Sequence, residues 1–215
     1  MSGKYMAYVG SYSYTGKAKG ITVFDVDVEN GMFKERCEIE VDNSSYVIAS
    51  SDGKTLYSIA DEGVVSFRIL PNGSLARLNS APIRGMRGCH LCTDEEDKYV
   101  FVSGYHDGKT TVLSLNPDGS VGKIVDGVFD RGYGSVAERN FRPHVTCTRR
   151  MPDNRFVLSV DNGIDQVKIY RFNDKEQRLV QVDAIRCELE SAPRHFRYSK
   201  DGKFIYLMYE LKKCN

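Results

Sequence analysis

Three histidines and one arginine recur at comparable places along the 215-residue chain. His90, His144 and the adjacent pair Arg194 and His195 lie shortly before acidic turns, and the intervals from His90, His144 and Arg194 to those turns are 6, 9 and 7 residues. Imidazole titrates near neutral pH, so His144 could accept a proton from an attacking water. Arg194 offers a rigid fork of donors that suits a phosphate, a carboxylate or a developing oxyanion. The recurrence predicts that these side chains converge on one site.

Two more side chains lie close to these positions in the sequence. Glu210 ends the segment that begins at Arg194, where it could orient a base or share in proton transfer. Tyr105 lies in the segment that follows His90. We expect a catalytic group of His144, Arg194 and Glu210, and a substrate-binding group of His90, Tyr105 and His195. The alternative for each is structural: a histidine packed at the start of a strand, a surface salt bridge or a solvated acid.

A polar turn followed by a β-rich run occurs four times and would position these residues. The copies are SSDGKTLYSIAD, DEEDKYVFVSGY, MPDNRFVLSVDN and SKDGKFIYLMYE, and their acidic turn residues lie 44, 57 and 48 residues apart. Alternating aromatic and β-branched residues between Gly, Asn, Asp and Pro are typical of strands joined by hairpins. A period of about 50 residues with four strands is that of a β-propeller blade. We predict an all-β protein, a β-propeller of four-stranded antiparallel blades; a β-sandwich would not explain the repeat.

The length of the chain limits the number of blades. At about 50 residues per blade, 215 residues form four to five blades of a single domain, residues 1–215. The N-terminal run YMAYVGSYSYTGKAKGITVFDVDV lacks the preceding turn-bearing strand, and the chain ends one strand into a further unit. Because unpaired strand edges tend to associate, we expect self-association through open blade edges.

The charge balance restricts the kinds of partner. Lys and Arg number 30 against 29 Asp and Glu, a formal net charge of +1. Nucleic acids and acidic membranes select a basic surplus, so neither is an expected partner. No apolar run reaches the roughly 18–20 residues that cross a bilayer, and the N-terminus has no secretory pattern. These features predict a cytoplasmic location with reduced thiols.

The cysteines and the remaining basic residues give weaker signals. Cys89 and Cys92 form a CxxC motif, which can bind metal or exchange disulfides, but no second CxxC completes a zinc set and no βαβ unit surrounds it. We interpret them as two cysteines of a β-segment, and expect neither a metal nor a cofactor. Five basic residues lack the recurrent spacing and are expected on the solvated surface: Arg139, Arg142, Arg149, Arg150 and Lys203.

Four segments in order, between about residues 5 and 211, carry a family resemblance. They are YVGSYS with KGITVFDVD, GCHLCTDEEDKYVFVSGYHDG, FRPHVTCTRRMPDNRFVLSVDNGIDQVKIYRF and APRHFRYSKDGKFIYLMYEL. Together they resemble the seven-bladed propeller lactonases, which comprise the propeller-type 6-phosphogluconolactonases and their cyclase relatives. The resemblance implies metal-independent hydrolysis of a sugar lactone, above all 6-phosphogluconolactone, in the pentose phosphate pathway. It also matches His144, Arg194 and Glu210 to catalytic positions proposed for the cyclase branch.

The chain also departs from that pattern. Thr146 stands where the family often has a second histidine, and Gly104 and Tyr209 replace asparagines. A full member of seven blades has roughly 350 residues at this period, so we expect about 2.5 blades to be absent. Two alternatives stay open: a non-catalytic propeller that binds a ligand, and a cyclase-branch enzyme that acts on a carboxylated lactone.

Overall fold

Antiparallel β-sheets make up the part of the chain that the computed structural model describes, residues 5–134 and 141–212. The first sheet has three strands: β1 (Tyr5–Gly10), β2 (Gly20–Asp27) and β3 (Met32–Glu40). The second has four: β4 (Val47–Ala49), β5 (Thr55–Ile59), β6 (Gly63–Ile69) and β7 (Leu75–Pro82). The third has β8 (His90–Thr93), β9 (Tyr99–Gly104), β10 (Lys109–Leu115) and β11 (Val121–Phe129).

Two further sheets follow. The fourth has β12 (Val145–Arg150), β13 (Val157–Asp161), β14 (Gln166–Asn173) and β15 (Arg178–Arg186), and the fifth has β16 (Pro193–Tyr198) and β17 (Ile205–Tyr209). Within each sheet every strand pairs antiparallel with the next in sequence. This meander confirms the predicted all-β propeller with four-stranded blades. Among the described residues, no helix is long and apolar enough to cross a membrane.

The repeated turn is built in the same way at both ends of the series. In the β4–β5 turn Asp52 accepts hydrogen bonds from the Ser50 hydroxyl, at 2.7 Å, and from the Lys54 amide. In the β16–β17 turn Asp201 accepts the equivalent bonds from Ser199 and Lys203. The next residue has positive φ in all four copies, namely Gly53, Asp97, Asn154 and Gly202. Glycine, asparagine and aspartate tolerate that conformation best, which explains why the turn sequence recurs.

The core lies between neighbouring sheets. Phe101 of β9 is fully buried in a cluster that includes Val112 of β10 and, from the next sheet, Tyr170 and Phe172 of β14. The Phe101 and Phe172 rings meet edge to face at 5.8 Å. Packing of this kind, sheet against sheet, brings the first strands β8, β12 and β16 into contact in series. These strands therefore line a common axis.

Two of the five basic residues expected on the surface are not there, which corrects that prediction. The Arg150 side chain is 6% exposed and lies 2.9 Å from Asp174 and 3.6 Å from Asp94. Arg149 directs its guanidinium toward His90, and its Nε is buried. Both belong to β12, which neighbouring sheets cover, so the usual alternation of buried and exposed residues fails there. Arg142 and Lys203 are exposed as expected, whereas Arg139 lies outside the described residues.

Substitution of Phe101 tests the packing between sheets. Phe101→Ala should lower the free energy of unfolding by about 3–5 kcal/mol, because it leaves a cavity among aromatic and aliphatic side chains. Phe204→Ala is the matched control: this ring is 61% exposed, and its loss should change stability by no more than about 0.5 kcal/mol. Urea denaturation measures both. Equal effects would contradict a core located between the third and fourth sheets.

Candidate active site

Five polar residues lie at the same end of three successive sheets. His144 directly precedes β12, Asn162 directly follows β13, Tyr105 follows β9, Glu210 follows β17, and Arg194 is the second residue of β16. In an antiparallel pair the start of one strand lies beside the end of the next. The meander thus gathers these five side chains at one end of the blades.

The imidazole of His144 is held in one orientation. Its Nδ1 lies 2.6 Å from the carbonyl oxygen of Tyr105, and the Tyr105 ring stacks on it at 4.3 Å with an interplanar angle of 14°. A carbonyl only accepts hydrogen bonds, so Nδ1 carries the proton and Nε2 keeps its lone pair. Burial lowers the pKa of His144 below 6.5, so the ring is neutral at neutral pH. Its Nε2 is thereby suited to accept a proton.

A single carboxylate fixes the backbone around His144. Oδ1 of Asp161 accepts hydrogen bonds from the amides of His144, Gly163 and Ile164 at 2.8, 2.9 and 3.2 Å. The Asn162 amide donates to the His144 carbonyl at 2.9 Å. Gly163 must be glycine, because a Cβ there would lie 1.8 Å from the Arg142 carbonyl oxygen and 2.8 Å from the His144 ring. The strand ends are therefore tightly joined.

Asp161 forms a buried carboxyl pair with Asp130. Asp161 has no exposed surface, and its burial together with the nearby charge of Asp130 raises its pKa to about 8. The Tyr170 hydroxyl donates to Asp130 Oδ1 at 2.7 Å. The second oxygens of the two carboxyl groups have no donor among the described residues. One proton shared between the carboxyl groups removes their repulsion.

Arg194, Glu210 and Asn162 form a second connected group. Arg194 Nη1 lies 2.7 Å from Glu210 Oε2, which also accepts a hydrogen bond from Asn162 Nδ2 at 3.2 Å. The Thr146 hydroxyl donates to the Arg194 carbonyl at 2.7 Å. Asn162 thus links the backbone of His144 to the ion pair. In this way the structure connects His144, Arg194 and Glu210.

His90 and His195 form a second group, beside one another. His90 Nε2 is 3.6 Å from Cys147 Sγ and 3.2 Å from Arg149 Nη2, and the rings of His90 and His195 are 5.8 Å apart. Cys147 and Arg149 lie further along β12 than His144. The sequence intervals are consistent with this separation. The interval from His144 to its acidic turn is three residues longer than that from His90, which corresponds to about 10 Å along a strand. The predicted residues therefore form two groups, with Tyr105 beside His144.

Several residues of the site were not predicted from the sequence. The segment that holds Asp161 and Asn162 has the composition of an ordinary hairpin turn, and its contacts with His144 and Glu210 join distant parts of the chain. The Asp130–Asp161 pair spans 31 positions and matches no local motif. Thr146, which departs from the family pattern, positions the backbone of Arg194. No periodic signal in the sequence indicates these contacts.

The CxxC cysteines have separate structural partners. Cys89, just before β8, donates through its thiol to the Val145 carbonyl at 3.4 Å, and Cys92 lies within β8 with its thiol 3.1 Å from the Thr93 carbonyl. Burial raises the pKa of both thiols, that of Cys89 to about 12. Cys92 therefore lies in a β-strand and Cys89 directly before it.

Asp161→Asn should remove a pH dependence of stability. The folded-state pKa of Asp161 lies above its ordinary value of 3.8, so the stability that its proton contributes is present at acid pH and is lost as the pH rises toward about 8. Asparagine can donate to Asp130 and still accept from the His144 amide at every pH. We expect the free energy of unfolding to fall between about pH 4 and pH 8 more steeply in the wild type than in the variant.

Chemical denaturation across that range measures the difference. Glu95→Gln, at an exposed acid, is the control and should follow the wild type. A variant with the same slope as the wild type would show that the pair holds no shared proton.

Proteins named 6-phosphogluconolactonase match the chain over most of its length. A Bacillus subtilis 6-phosphogluconolactonase is 32% identical over 214 residues, which are 97% of this chain and 60% of that protein. A 6-phosphogluconolactonase of Formosa agariphila is 27% identical over 95% of this chain and 61% of its own. The chain thus spans about 60% of the length of these curated relatives.

Solved structures agree with the fold. A Bacteroides fragilis protein assigned as a 6-phosphogluconolactonase superposes with a TM-score of 0.89 at 31% identity, over 97% of this chain and 62% of that one. The periplasmic gluconolactonase of Pseudomonas aeruginosa gives 0.88 at 25% identity, over 95% and 61%. The family model described as "Lactonase, 7-bladed beta-propeller" matches residues 6–214. The chain therefore belongs to the seven-bladed β-propeller lactonase family.

Proposed function

We propose that this protein hydrolyses a sugar lactone, with 6-phospho-D-glucono-1,5-lactone as the preferred substrate and 6-phosphogluconate as the product, a reaction of the pentose phosphate pathway. One observation carries the proposal: His144 Nδ1 is bound to the Tyr105 carbonyl, which leaves a neutral imidazole whose Nε2 accepts no hydrogen bond from the described residues. A base of this kind suits the activation of water for ester cleavage. The names of the relatives support the substrate class.

The proposed reaction begins with attack of water on the ring carbonyl. His144 Nε2 takes a proton from the water as the new carbon–oxygen bond forms, and the carbonyl oxygen becomes an oxyanion. The guanidinium of Arg194 stabilises this oxyanion or holds the substrate phosphate. The imidazolium then returns the proton to the departing ring oxygen, and the open-chain acid is released. All of these proton transfers run through His144, so the proposal includes no metal or cofactor.

We assign Glu210 a positioning role. It accepts hydrogen bonds from both Arg194 and Asn162, so its carboxylate sets the direction of the guanidinium. The side chains of Arg194 and Glu210 are 42% and 30% exposed. A pair so exposed contributes little to stability, but it leaves the arginine accessible to an anionic substrate. In the proposal Tyr105 orients the base, half-buried His195 contacts the substrate, and fully buried His90 supports His195.

The proposed location is the cytoplasm, and the proposed partner is the small-molecule lactone. The described cysteines are free thiols, which suits a reducing compartment. The net charge of +1 provides no basic surplus for nucleic acid or an acidic membrane.

His144→Ala should reduce kcat for lactone hydrolysis by about 10²–10⁴-fold, the usual contribution of a positioned base. In the wild type the rate should fall on the acid side, at a pH below 6.5, because protonation of His144 removes the free Nε2. Stopped-flow titration of released acid with the 215-residue chain measures both effects. Full turnover in the variant, or no wild-type rate above spontaneous hydrolysis, would contradict the proposal.

Two comparisons sharpen this experiment. Glu95→Ala, at an exposed acid in the turn that follows β8, is the control and should keep wild-type turnover. Competition with 6-phosphogluconate against gluconate then tests the phosphate. Stronger inhibition by the phosphorylated acid supports the preferred substrate, whereas equal inhibition favours a lactone whose carboxylate alone is recognised.

We also propose that the chain self-associates through β17. Among the described residues this strand pairs with β16 alone, and Ile205 and Tyr206 are 42% and 64% exposed. A charged side chain on such an edge opposes pairing with another strand. Ile205→Lys should therefore shift sedimentation velocity profiles toward monomer, and Val28→Lys, at an exposed turn residue, should not. A wild-type chain that is monomeric at every concentration would contradict the proposal.

A further inference from the structure

Three potential metal ligands converge on the axis of the propeller. His90, Cys147 and His195 belong to β8, β12 and β16, the first strands of three successive sheets, and their ligand atoms lie within 4.8 Å of one another. We propose that this cluster binds a thiophilic d¹⁰ metal ion, Cu⁺ or Zn²⁺, through His90 Nε2, Cys147 Sγ and a ring nitrogen of His195. Imidazole and thiolate ligands select ions of this class.

The distance between two of the ligands matches a coordinated pair. His90 Nε2 and Cys147 Sγ are 3.6 Å apart. Bonds of about 2.3 Å to sulfur and 2.0–2.1 Å to nitrogen, at a tetrahedral angle, place the two ligand atoms about 3.5 Å apart. The pair therefore needs almost no movement to bind an ion. The rings of His90 and His195 are 5.8 Å apart, so the third ligand comes from the neighbouring strand.

His90 already presents its lone pair to the cluster. Arg149 Nη2 lies 3.2 Å from His90 Nε2, and because a guanidinium only donates, Nε2 must be the acceptor. The ring proton is then on Nδ1, which is buried and has no hydrogen-bond partner among the described residues. The Nε2 lone pair is therefore directed into the cluster, where a metal ion would replace Arg149 as its partner.

The positive charge beside the cluster favours a metal ion of low charge. The guanidinium of Arg149 lies 3.2 Å from His90 Nε2, and a cysteine such as Cys147 carries a thiol proton before it binds a metal. Binding replaces that proton with the metal: the S–H bond breaks, the metal–sulfur bond forms, and one proton leaves to solvent. Cu⁺ with one thiolate is neutral, whereas Zn²⁺ with one thiolate keeps a charge of +1 beside the arginines. We therefore expect Cu⁺ to bind more tightly than Zn²⁺.

A bound ion would connect three blades through their innermost strands. It would stabilise the folded chain by mass action, since the unfolded chain does not hold these ligands together. The cluster includes His90 and His195 but none of His144, Arg194 and Glu210, so metal binding does not depend on lactone hydrolysis. Half-buried His195 provides the path by which an ion enters.

Metal titration of the 215-residue chain tests the site. With a non-coordinating reductant present, we expect one ion per chain and a rise in Tm with Cu⁺, under chelator competition, and a smaller rise with Zn²⁺. Co²⁺ used as a probe should give a sulfur-to-metal charge-transfer band. Cys147→Ser should remove the band and weaken binding by more than about 100-fold, since even an outer-sphere partner contributes about 10–100-fold.

Three further variants separate binding from folding. Cys37→Ser, at a half-buried thiol of β3, is the control and should retain the band. His195→Asn changes a side chain that is not part of the core and should weaken binding without lowering the Tm of the metal-free chain. Arg149→Gln removes a competing donor and a positive charge and should tighten binding. Unchanged binding in Cys147→Ser, or no ion bound by the wild type, would overturn the site. A weaker metal complex in Arg149→Gln would overturn the assignment of Arg149 as a competitor.

Discussion

Burial of apolar side chains between adjacent sheets is the interaction on which the rest of the structure depends. A single four-stranded meander has two faces and cannot cover either by itself. Phe101 and Phe172 cover one another from neighbouring sheets, and Tyr57 and Leu91 belong to a second such cluster. Because the sheets pack face to face, their first strands must meet along one axis. That geometry brings β8, β12 and β16 together and places the ends of five strands at one level, where the polar residues of the candidate site lie.

At this end of the blades, a few buried polar groups fix the positions of the strand ends. Asp161 accepts hydrogen bonds from three backbone amides. These bonds hold the strand ends next to His144 and Asn162 in place. Its proximity to Asp130 would be unfavourable if both carboxyl groups were ionised, and the raised pKa of Asp161 shows how the protein avoids that repulsion. The arrangement keeps a histidine neutral and oriented while an arginine nearby stays partly exposed. Such a combination suits a reaction in which a base must be free of its proton and an anion must be accommodated.

The two polar clusters near the axis differ in their electrostatics. Around His144 a backbone carbonyl determines the tautomer and an aromatic ring stacks on the imidazole, and the cationic Arg194 is balanced by Glu210. Around His90 the neighbours are a thiol and arginines, so the imidazole there is held neutral by burial and by positive charge. The same side-chain type therefore donates a hydrogen bond through Nδ1 in one cluster and accepts one through Nε2 in the other.

The sequence by itself determined the strands, the turns and the repeat, because each depends on local chemistry: alternating β-branched and aromatic residues, and a turn residue that must adopt positive φ. It also identified His144, Arg194 and Glu210 as candidates, but it placed His90 and His195 at the same level as His144, and it assigned Arg149 and Arg150 to the surface. Only the tertiary structure decided these points. A difference of three residues in the interval between a histidine and its turn moves the side chain by about 10 Å along the strand. Burial of β12 in turn depends on sheets that are distant in sequence. The partners of Asp161 and the approach of Cys147 to His90 have the same origin, because contacts between blades leave no periodic trace in one strand.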